Sequence, residues 1–330
     1  MFELRNLLSR YFGILEENDY AKFIQAKYIS VTFDKKDSIK NLWKMHDTAL
    51  ENIRLSDVKP QQSLLDLKIE LASRIFQNCC FCERRCGVDR TRKSGNCGVK
   101  EARIASEFLH MGEESALIPS HTIFFSGCTF HCVFCQNWDI SQQNTGLYVE
   151  PKMLANTIEK RKNQGSKNVN WVGGDPTPNL AYILKTLQNL NINIPQIWNS
   201  NMYCSTETMK LLDGVIDLYL TDFKYWGDKC AKRFSKVDNY LEIIKRNHLK
   251  ACENGDVIIR HLVMPSHLEC CSKPIIKWIS ENLPNAVVNI MGQYRPEYHA
   301  HEYKDISKKI YIEDVLEVKK YGENLEINQI

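Results

Sequence analysis

The sequence predicts an α/β protein: a partial (β/α)6 TIM-like barrel with an N-terminal helical extension and a small cysteine-rich metal-binding segment. Three observations predict it. From about residue 120, short β-rich runs alternate with helical stretches six times, the pattern of a parallel sheet and enough for an open barrel. Eight of the 13 cysteines crowd between Cys79 and Cys135. Residues 1–77 carry apolar side chains at helical spacing and read as helical.

Composition sets the outer limits. The chain has 330 residues, 43% hydrophobic and 25% charged, which matches a soluble globular protein with enough apolar mass for a real core. A formal net charge of +3, with both signs well mixed, argues against a dedicated nucleic-acid binder. No stretch approaches 18 consecutive apolar residues, so no membrane span is expected. Glu3 and Arg5 break the short apolar stretch at the start, unlike a secretory signal. The expectation is a cytoplasmic protein with neither membrane nor nucleic acid as partner. In a reducing compartment, clustered cysteines bind metal or do redox chemistry rather than form bridges.

In chain order, residues 1–77 form the helical extension. Leu42, Met45 and Ala49, then Leu65, Ile69, Ala72 and Phe76, follow helical spacing and predict helices packed by one face. Residues 78–110 form the cysteine-rich segment. Cys79, Cys82, Cys86 and Cys97 make a C-x2-C-x3-C-x10-C array with Cys80 to spare. Four thiolates among turn-forming glycines describe a second metal site, Fe–S or zinc. Arg84, Arg85, Arg90 and Arg92 read as solvated charges.

Residues 111–295 form the barrel. Its strands are expected at His121–Ser126, Asn168–Val172, Gln196–Asn199, Val215–Phe223, Val257–Val263 and Ala286–Met291. Helices are expected near 151–164, 178–190, 205–213, 238–250 and 272–282. Residues 296–330 read as a C-terminal tail. Trp138, Trp171 and Trp198 are expected in the core or pocket wall. Cys204, Cys230, Cys252, Cys270 and Cys271 read as buried or incidental thiols.

Chemistry in such a barrel sits at the C-terminal ends of the strands. There the first strand runs through Gly127 into Cys128-Thr-Phe-His-Cys132-Val-Phe-Cys135. Thiolates are soft ligands suited to Fe–S clusters or zinc. Three on one loop, with no fourth close behind, suggest a centre with one open coordination position. The second strand ends in Gly173-Gly174-Asp175-Pro176 and the fourth in Thr221-Asp222-Phe223-Lys224. Other strand ends offer Asn199, Ser200 and Asn201, then Arg260 and His261, then Gln293, Tyr294 and Arg295. His261 reads as a packed histidine rather than a base. The G-x-S-x-G elbow, the P-loop and H-E-x-x-H are all missing from the sequence.

The cysteine loop, with Phe134 before its last cysteine, resembles that of the radical S-adenosylmethionine enzymes. The glycine pair resembles that family's GGEP motif, with Asp175 where Glu is usual. Asp222-Phe-Lys224 resembles the D-x-K motif of the pyruvate formate-lyase activating enzymes. The segment from Cys79 to Gly98 resembles the cysteine-rich leader before the barrel in an activating-enzyme-like branch of Fe–S proteins.

The resemblance implies roles. Cys128, Cys132 and Cys135 would hold a [4Fe–4S] cluster whose free iron chelates S-adenosylmethionine. One-electron reduction, from a flavodoxin- or ferredoxin-like donor, would release a 5′-deoxyadenosyl radical for hydrogen abstraction. Phe134, Gly173, Gly174, Asp175, Asn199, Asn201, Asp222, Lys224 and Arg260 would bind the cofactor, with Lys224 and Asp222 as the catalytic pair. The Gly173–Gly174 backbone would meet the methionine amino group, and Lys224 would neutralise the carboxylate. The substrate would be a partner protein, activated or modified. The alternatives are radical modification of a small molecule, or a non-catalytic iron–sulfur electron carrier or scaffold.

Overall fold

A computed structural model describes residues 2–143 and 145–330. Five helices come first: α1 (Phe2–Leu7), α2 (Ser9–Leu15), α3 (Lys22–Tyr28), α4 (Ile39–Glu51) and α5 (Leu64–Gln77). α5 starts where Ser63 and Asp66 form a reciprocal capping box, which satisfies two otherwise orphaned N–H groups. Its buried face comprises Leu64, Leu65, Leu67, Leu71, Ala72 and Ile75. Of the expected stripe, Ile69 and Phe76 flank this face rather than lie on it.

The sheet follows: β1 (Ile104–His110), β2 (Ser120–Phe125), β3 (Asn168–Gly173), β4 (Gln196–Ser200), β5 (Leu218–Asp222), β6 (Asp256–Leu262), β7 (Val287–Met291) and β8 (Asn328–Gln329). The strands lie in sequential order. β1 is antiparallel to β2, and every later pair is parallel. β2 to β7 are the six strands expected from sequence. Most of their residues are buried, polar ones such as Asn168, Asn170 and Gln196 included, because a parallel strand is covered on both faces. The helices between them are α6 (Trp138–Ser141), α7 (Pro151–Asn163), α8 (Leu180–Asn189), α9 (Thr206–Leu212), α10 (Asp228–Ser235), α11 (Tyr240–Asn254) and α12 (Lys273–Asn282), with α13 (Ile312–Asn324) before β8.

Three features depart from the sequence reading. β1, within the segment expected to be cysteine-rich loop, is the antiparallel edge of the sheet. The expected tail contains α13, whose Val315 and Val318 are buried, and the edge strand β8. Residues 1–77 also do more than cover a surface. Leu8 and Tyr11 join Leu117, Ile197, Leu218, Leu220, Ile258 and Val287 in one buried cluster, so α2 closes the end of the barrel where the strands begin. Polar contacts fix it there: Tyr11 N donates to Asp256 Oδ2 at 2.7 Å, and Asn168 Nδ2 donates to Tyr11 Oη at 2.9 Å. With that end shut, access falls to the strands' C-terminal ends.

Candidate active site

A cavity of about 510 Å³ opens at the C-terminal ends of the strands. Cys128, Cys132 and Cys135 line it together with Gly173, Gly174, Asn199, Asn201, Asp222, Lys224, Arg260 and Phe134. Residues from five strand ends, up to 132 positions apart in sequence, thus meet in one pocket. The parallel order of β2 to β6 is what brings them there.

The cysteine loop is held from several sides. His131 N and Val133 N donate to Ser235 O and Phe234 O, at 3.0 and 2.8 Å, at the end of α10. Each thiol has a polar neighbour: Phe130 N lies 3.3 Å from Cys128 Sγ, Ser235 Oγ 2.9 Å from Cys132 Sγ, and Ser141 Oγ 3.2 Å from Cys135 Sγ. Burial pushes the Cys132 thiol up to about 12 and raises Cys128 well above its ordinary range. Buried thiols of this kind ionise only beside a metal, and the surrounding N–H and O–H groups suit sulfurs that carry charge. The donor set therefore fits a three-thiolate iron–sulfur centre.

The glycine turn is shaped by close backbone approach. Gly173 has φ +121°, and a Cβ there would lie 2.1 Å from Phe125 N. A Cβ on Gly174 would lie 2.1 Å from Gly127 O. Gly174 N donates to Phe125 O at 2.9 Å, and Asp175 N to Gly127 O at 3.1 Å, so the turn is stitched to the start of the cysteine loop.

Asp175 is a correction to the sequence reading. It is buried behind the cavity and does not line it. Its carboxylate accepts from Thr177 N at 2.9 Å, Ser200 Oγ at 3.0 Å and Asn201 N at 3.1 Å. It therefore sets the turn that presents Asn201, which in turn lies 3.7 Å from Cys128 Sγ through Nδ2.

Lys224 Nζ donates to Asp222 Oδ2 at 2.7 Å. Burial alone would lower the Lys224 pKa, but Asp222, with Cys132, more than offsets it and raises the pKa. The ammonium is charged, and an ammonium has three donors, so one bond to Asp222 leaves two.

Arg260 is the second correction. Its Nε and Nη2 bind the Glu114 carboxylate at 2.8 and 2.6 Å, and Nη2 also pairs with Glu113. A guanidinium committed to two carboxylates has no free charge for a third. Glu113 and Glu114, on the β1–β2 connection, reach into the barrel and line the same cavity, where Asn289 Nδ2 also donates to Glu114 at 2.8 Å. Sequence reasoning missed both glutamates. Their signal was indirect: an arginine pointing into a barrel needs an anion.

Other candidates separate cleanly. Ser200 and Gln293 line the cavity. Tyr294 is buried with its hydroxyl on Ile306 O at 2.6 Å, and Arg295 lines a different groove. His261 bonds Phe223 O and Ser272 Oγ, both at 2.8 Å, and burial lowers its pKa to about 4, so it is a packed neutral imidazole. Trp171 and Trp198 are in the core, whereas Trp138 is 37% exposed and stacks on Tyr298.

The cysteine-rich segment lies against this loop. Cys128 N donates to Cys97 O at 3.3 Å, and Arg84 Nε donates to Thr129 O at 2.7 Å. Cys79, Cys82, Cys86 and Cys97 feel one another's charge. A Cβ on Gly95 would lie 3.1 Å from Cys86 Sγ and 3.8 Å from Cys97 Sγ, so glycine leaves the space between them clear. Arg90 is not solvated as expected. It is buried, bonds Val99 O at 2.9 Å and Pro178 O at 2.6 Å, and leaves Nη2 without a partner. Burial raises the Cys79 and Cys97 thiols, and the Arg90 guanidinium acts against it. A buried cation beside converging thiols fits an anionic thiolate–metal centre.

No helix among the described residues is long and apolar enough to cross a membrane.

The family match agrees with this geometry. A family model described as the radical SAM superfamily matches residues 122–279. An uncharacterised protein of Methanocaldococcus jannaschii, MJ0674, is 50% identical over 98% of this chain and 99% of its own length. Among solved structures, Streptococcus suis SuiB bound to S-adenosylmethionine is 15% identical, with a TM-score of 0.45 over 62% of this chain. The match spans 47% of SuiB, less than two thirds of its length. Methylornithine synthase (PylB) is 16% identical, with a TM-score of 0.44 over 86% of this chain and 84% of its own. The matched model covers the three-cysteine loop, the glycine turn and the Asp222–Lys224 pair, and residues 122–279 of the chain are a radical SAM superfamily domain.

Proposed function

We propose that this chain is an activating-enzyme-like radical SAM oxidoreductase, holding a [4Fe–4S] cluster on Cys128, Cys132 and Cys135 and S-adenosylmethionine in the adjoining cavity. The observation that carries the reading is the meeting of the three thiols, the Gly173–Gly174 turn and the Lys224–Asp222 pair in one pocket. A simple electron carrier needs no pocket fitted for an amino-acid carboxylate. When bound, the cluster and S-adenosylmethionine supply one-electron cleavage of the sulfonium and a 5′-deoxyadenosyl radical.

The chain's own residues bind, orient and exclude water. Lys224 meets the carboxylate with the two donors that Asp222 leaves free, and Asp222 keeps its ammonium charged and aimed. The Gly173–Gly174 backbone meets the amino group. Asn199 and Asn201 offer hydrogen bonds to the ribose and adenine. Phe134, packed on Tyr225 and Tyr294, walls the cavity beside the cluster loop.

The cysteine-rich segment is read as an auxiliary iron–sulfur site on Cys79, Cys82, Cys86 and Cys97. Thiolates on one tetrahedral zinc stand about 3.8 Å apart, from bonds of about 2.3 Å. Among the described residues, no three of these four sulfurs lie within 4.8 Å of one another. In the cluster proposed here each thiolate binds a different iron.

The substrate is read as a backbone position of a partner protein, with a flavodoxin- or ferredoxin-like donor supplying the electron. The test is to feed candidate deuterated protein and small-molecule substrates anaerobically and find which passes label to 5′-deoxyadenosine. Label from a protein supports this reading, and label from a small molecule replaces it. A reduced cluster whose paramagnetic signal ignores S-adenosylmethionine would return the chain to the carrier class.

A further inference from the structure

Three cysteines that the sequence reading treated as incidental meet in the fold. Cys230 sits in the first turn of α10, and Cys270 and Cys271 sit in a π-helical turn, Leu268–Ser272, that leads into α12. Their sulfurs all lie within 4.8 Å of one another, with Cys270 Sγ 3.9 Å from Cys271 Sγ. Among the described residues this is the single group of three metal-ligating side chains so close together. Both candidate cluster sites are more open.

That spacing suits one ion. Three thiolates bound to a single centre through bonds of about 2.3 Å stand about 4 Å apart in a trigonal arrangement. The burial is graded: Cys271 is buried, Cys230 is half-buried and Cys270 is exposed, which gives an ion a way in and a protected end point. Arg233, one turn after Cys230, favours its thiolate. The π-helical turn places two consecutive cysteines on the same side, and single π turns recur at functional sites.

We propose that Cys230, Cys270 and Cys271 form a further metal site that takes a single thiophilic d10 cation, Zn²⁺ or Cu⁺. Binding replaces three thiol protons: Zn²⁺ and three RSH give a tris-thiolate complex of charge −1 and three protons released to solvent. Cu⁺ gives the corresponding complex of charge −2. No electron is transferred. The ion would join α10 to the turn before α12, and the far end of α10 accepts the backbone hydrogen bonds of His131 and Val133 and carries the Ser235 hydroxyl beside Cys132. The site would thus brace the cysteine loop from outside the cavity.

The test uses the intact iron-loaded protein. Alkylation with iodoacetamide, mapped by mass spectrometry, is compared with and without equimolar Zn²⁺ or Cu⁺. Expected is about tenfold slower modification of Cys230 and Cys270 with one of the two ions, as thiolates lose nucleophilicity on coordination; the protecting ion identifies the metal. The Cys230→Ser/Cys270→Ser double variant, which spares buried Cys271, should bind about one equivalent less of that ion with unchanged iron content. Co²⁺ should give a thiolate charge-transfer band in wild type that the variant lacks. Equal alkylation with and without either ion, equal metal stoichiometry in the variant, or a native Cys230–Cys271 disulfide on non-reducing mapping would overturn the proposal. Unchanged iron keeps this outcome separate from the reading of the barrel site.

Discussion

Cys128 N donates a hydrogen bond to Cys97 O over 3.3 Å, so the backbone of one cysteine-bearing loop rests on that of the other. Gly127 permits the approach: its φ is +84°, and a Cβ there would lie 2.6 Å from Cys97 O. The two candidate metal loops are neighbours in space although 30 residues separate these cysteines in sequence.

Adjacency without shared ligands predicts separable metal content. Replacing Cys128, Cys132 and Cys135 with alanine should remove the signal sensitive to S-adenosylmethionine and leave about four irons per chain, the content of one cubane. Iron analysis with electron paramagnetic resonance measures this. About one zinc in place of the residual iron would mean that the leader binds a single ion, and no metal at all would remove its ligand assignment.

Lys224→Met should leave iron content normal and weaken S-adenosylmethionine binding by about 1.5–3 kcal/mol, the range for hydrogen bonds to charged groups. The loss has two parts, because the variant also leaves Asp222 as an unpaired anion facing the incoming carboxylate. Adding Asp222→Asn to Lys224→Met should therefore recover part of the affinity, a coupling that a double-mutant cycle reads directly. Strict additivity by equilibrium binding would mean that the 2.7 Å pair plays no part.

Gly174→Ala should be far more damaging than its size suggests. The added methyl would meet Gly127 O at 2.1 Å, and backbone cannot swing aside as a flexible side chain can. The turn must then separate from the cysteine loop. We expect destabilisation of about 1–3 kcal/mol, together with loss of S-adenosylmethionine binding in whatever protein remains folded. Wild-type thermal stability and affinity would contradict the close approach.

Asp256, which accepts from Tyr11 N where α2 closes the barrel, should make stability fall with rising pH. Burial pushes its pKa from 3.8 up to about 6, opposed by the Tyr11 N–H and Arg10, with buried Asp217 adding to the rise. A raised folded pKa means the native state holds the proton more tightly. Its stabilising contribution is complete below about pH 4 and lost as pH passes about 6. Asp256→Asn keeps an oxygen for Tyr11 N and removes the buried charge. The variant should match wild type near pH 4 and exceed it near pH 8 by about 2–3 kcal/mol, at about 1.4 kcal/mol per pKa unit. Unfolding curves at the two pH values decide it, and a variant weaker than wild type near pH 8 would reverse the sign.

Local pattern carried much of this protein. The six β/α units were legible because β-branched and aromatic residues gather in short runs and the helices between them repeat every three to four residues, so β2 to β7 fall within a few residues of the expected strands. β1, α13 and the two-residue β8 were not. An edge strand alternates weakly, and a terminal helix is defined by what it covers. Cys128, Cys132 and Cys135 were legible because the spacing of ligands on one loop is written in the chain.

What only the tertiary structure decided are the partners of residues distant in sequence. Arg260 looked free until Glu113 and Glu114, 147 and 146 positions earlier, came into view. Asp175 looked like a cofactor contact until its carboxylate was seen holding Ser200 and Asn201. Arg90 looked solvated, yet lies buried beside the leader cysteines, and Cys230 looked solitary until the fold set it against Cys270 and Cys271. Sequence by itself determined which elements form and which loop carries the chemistry, because both follow from short-range periodicity and spacing. Which charges are paired, which thiols meet and which end of the barrel is shut depend on side chains joined only by packing, and packing has no period to read.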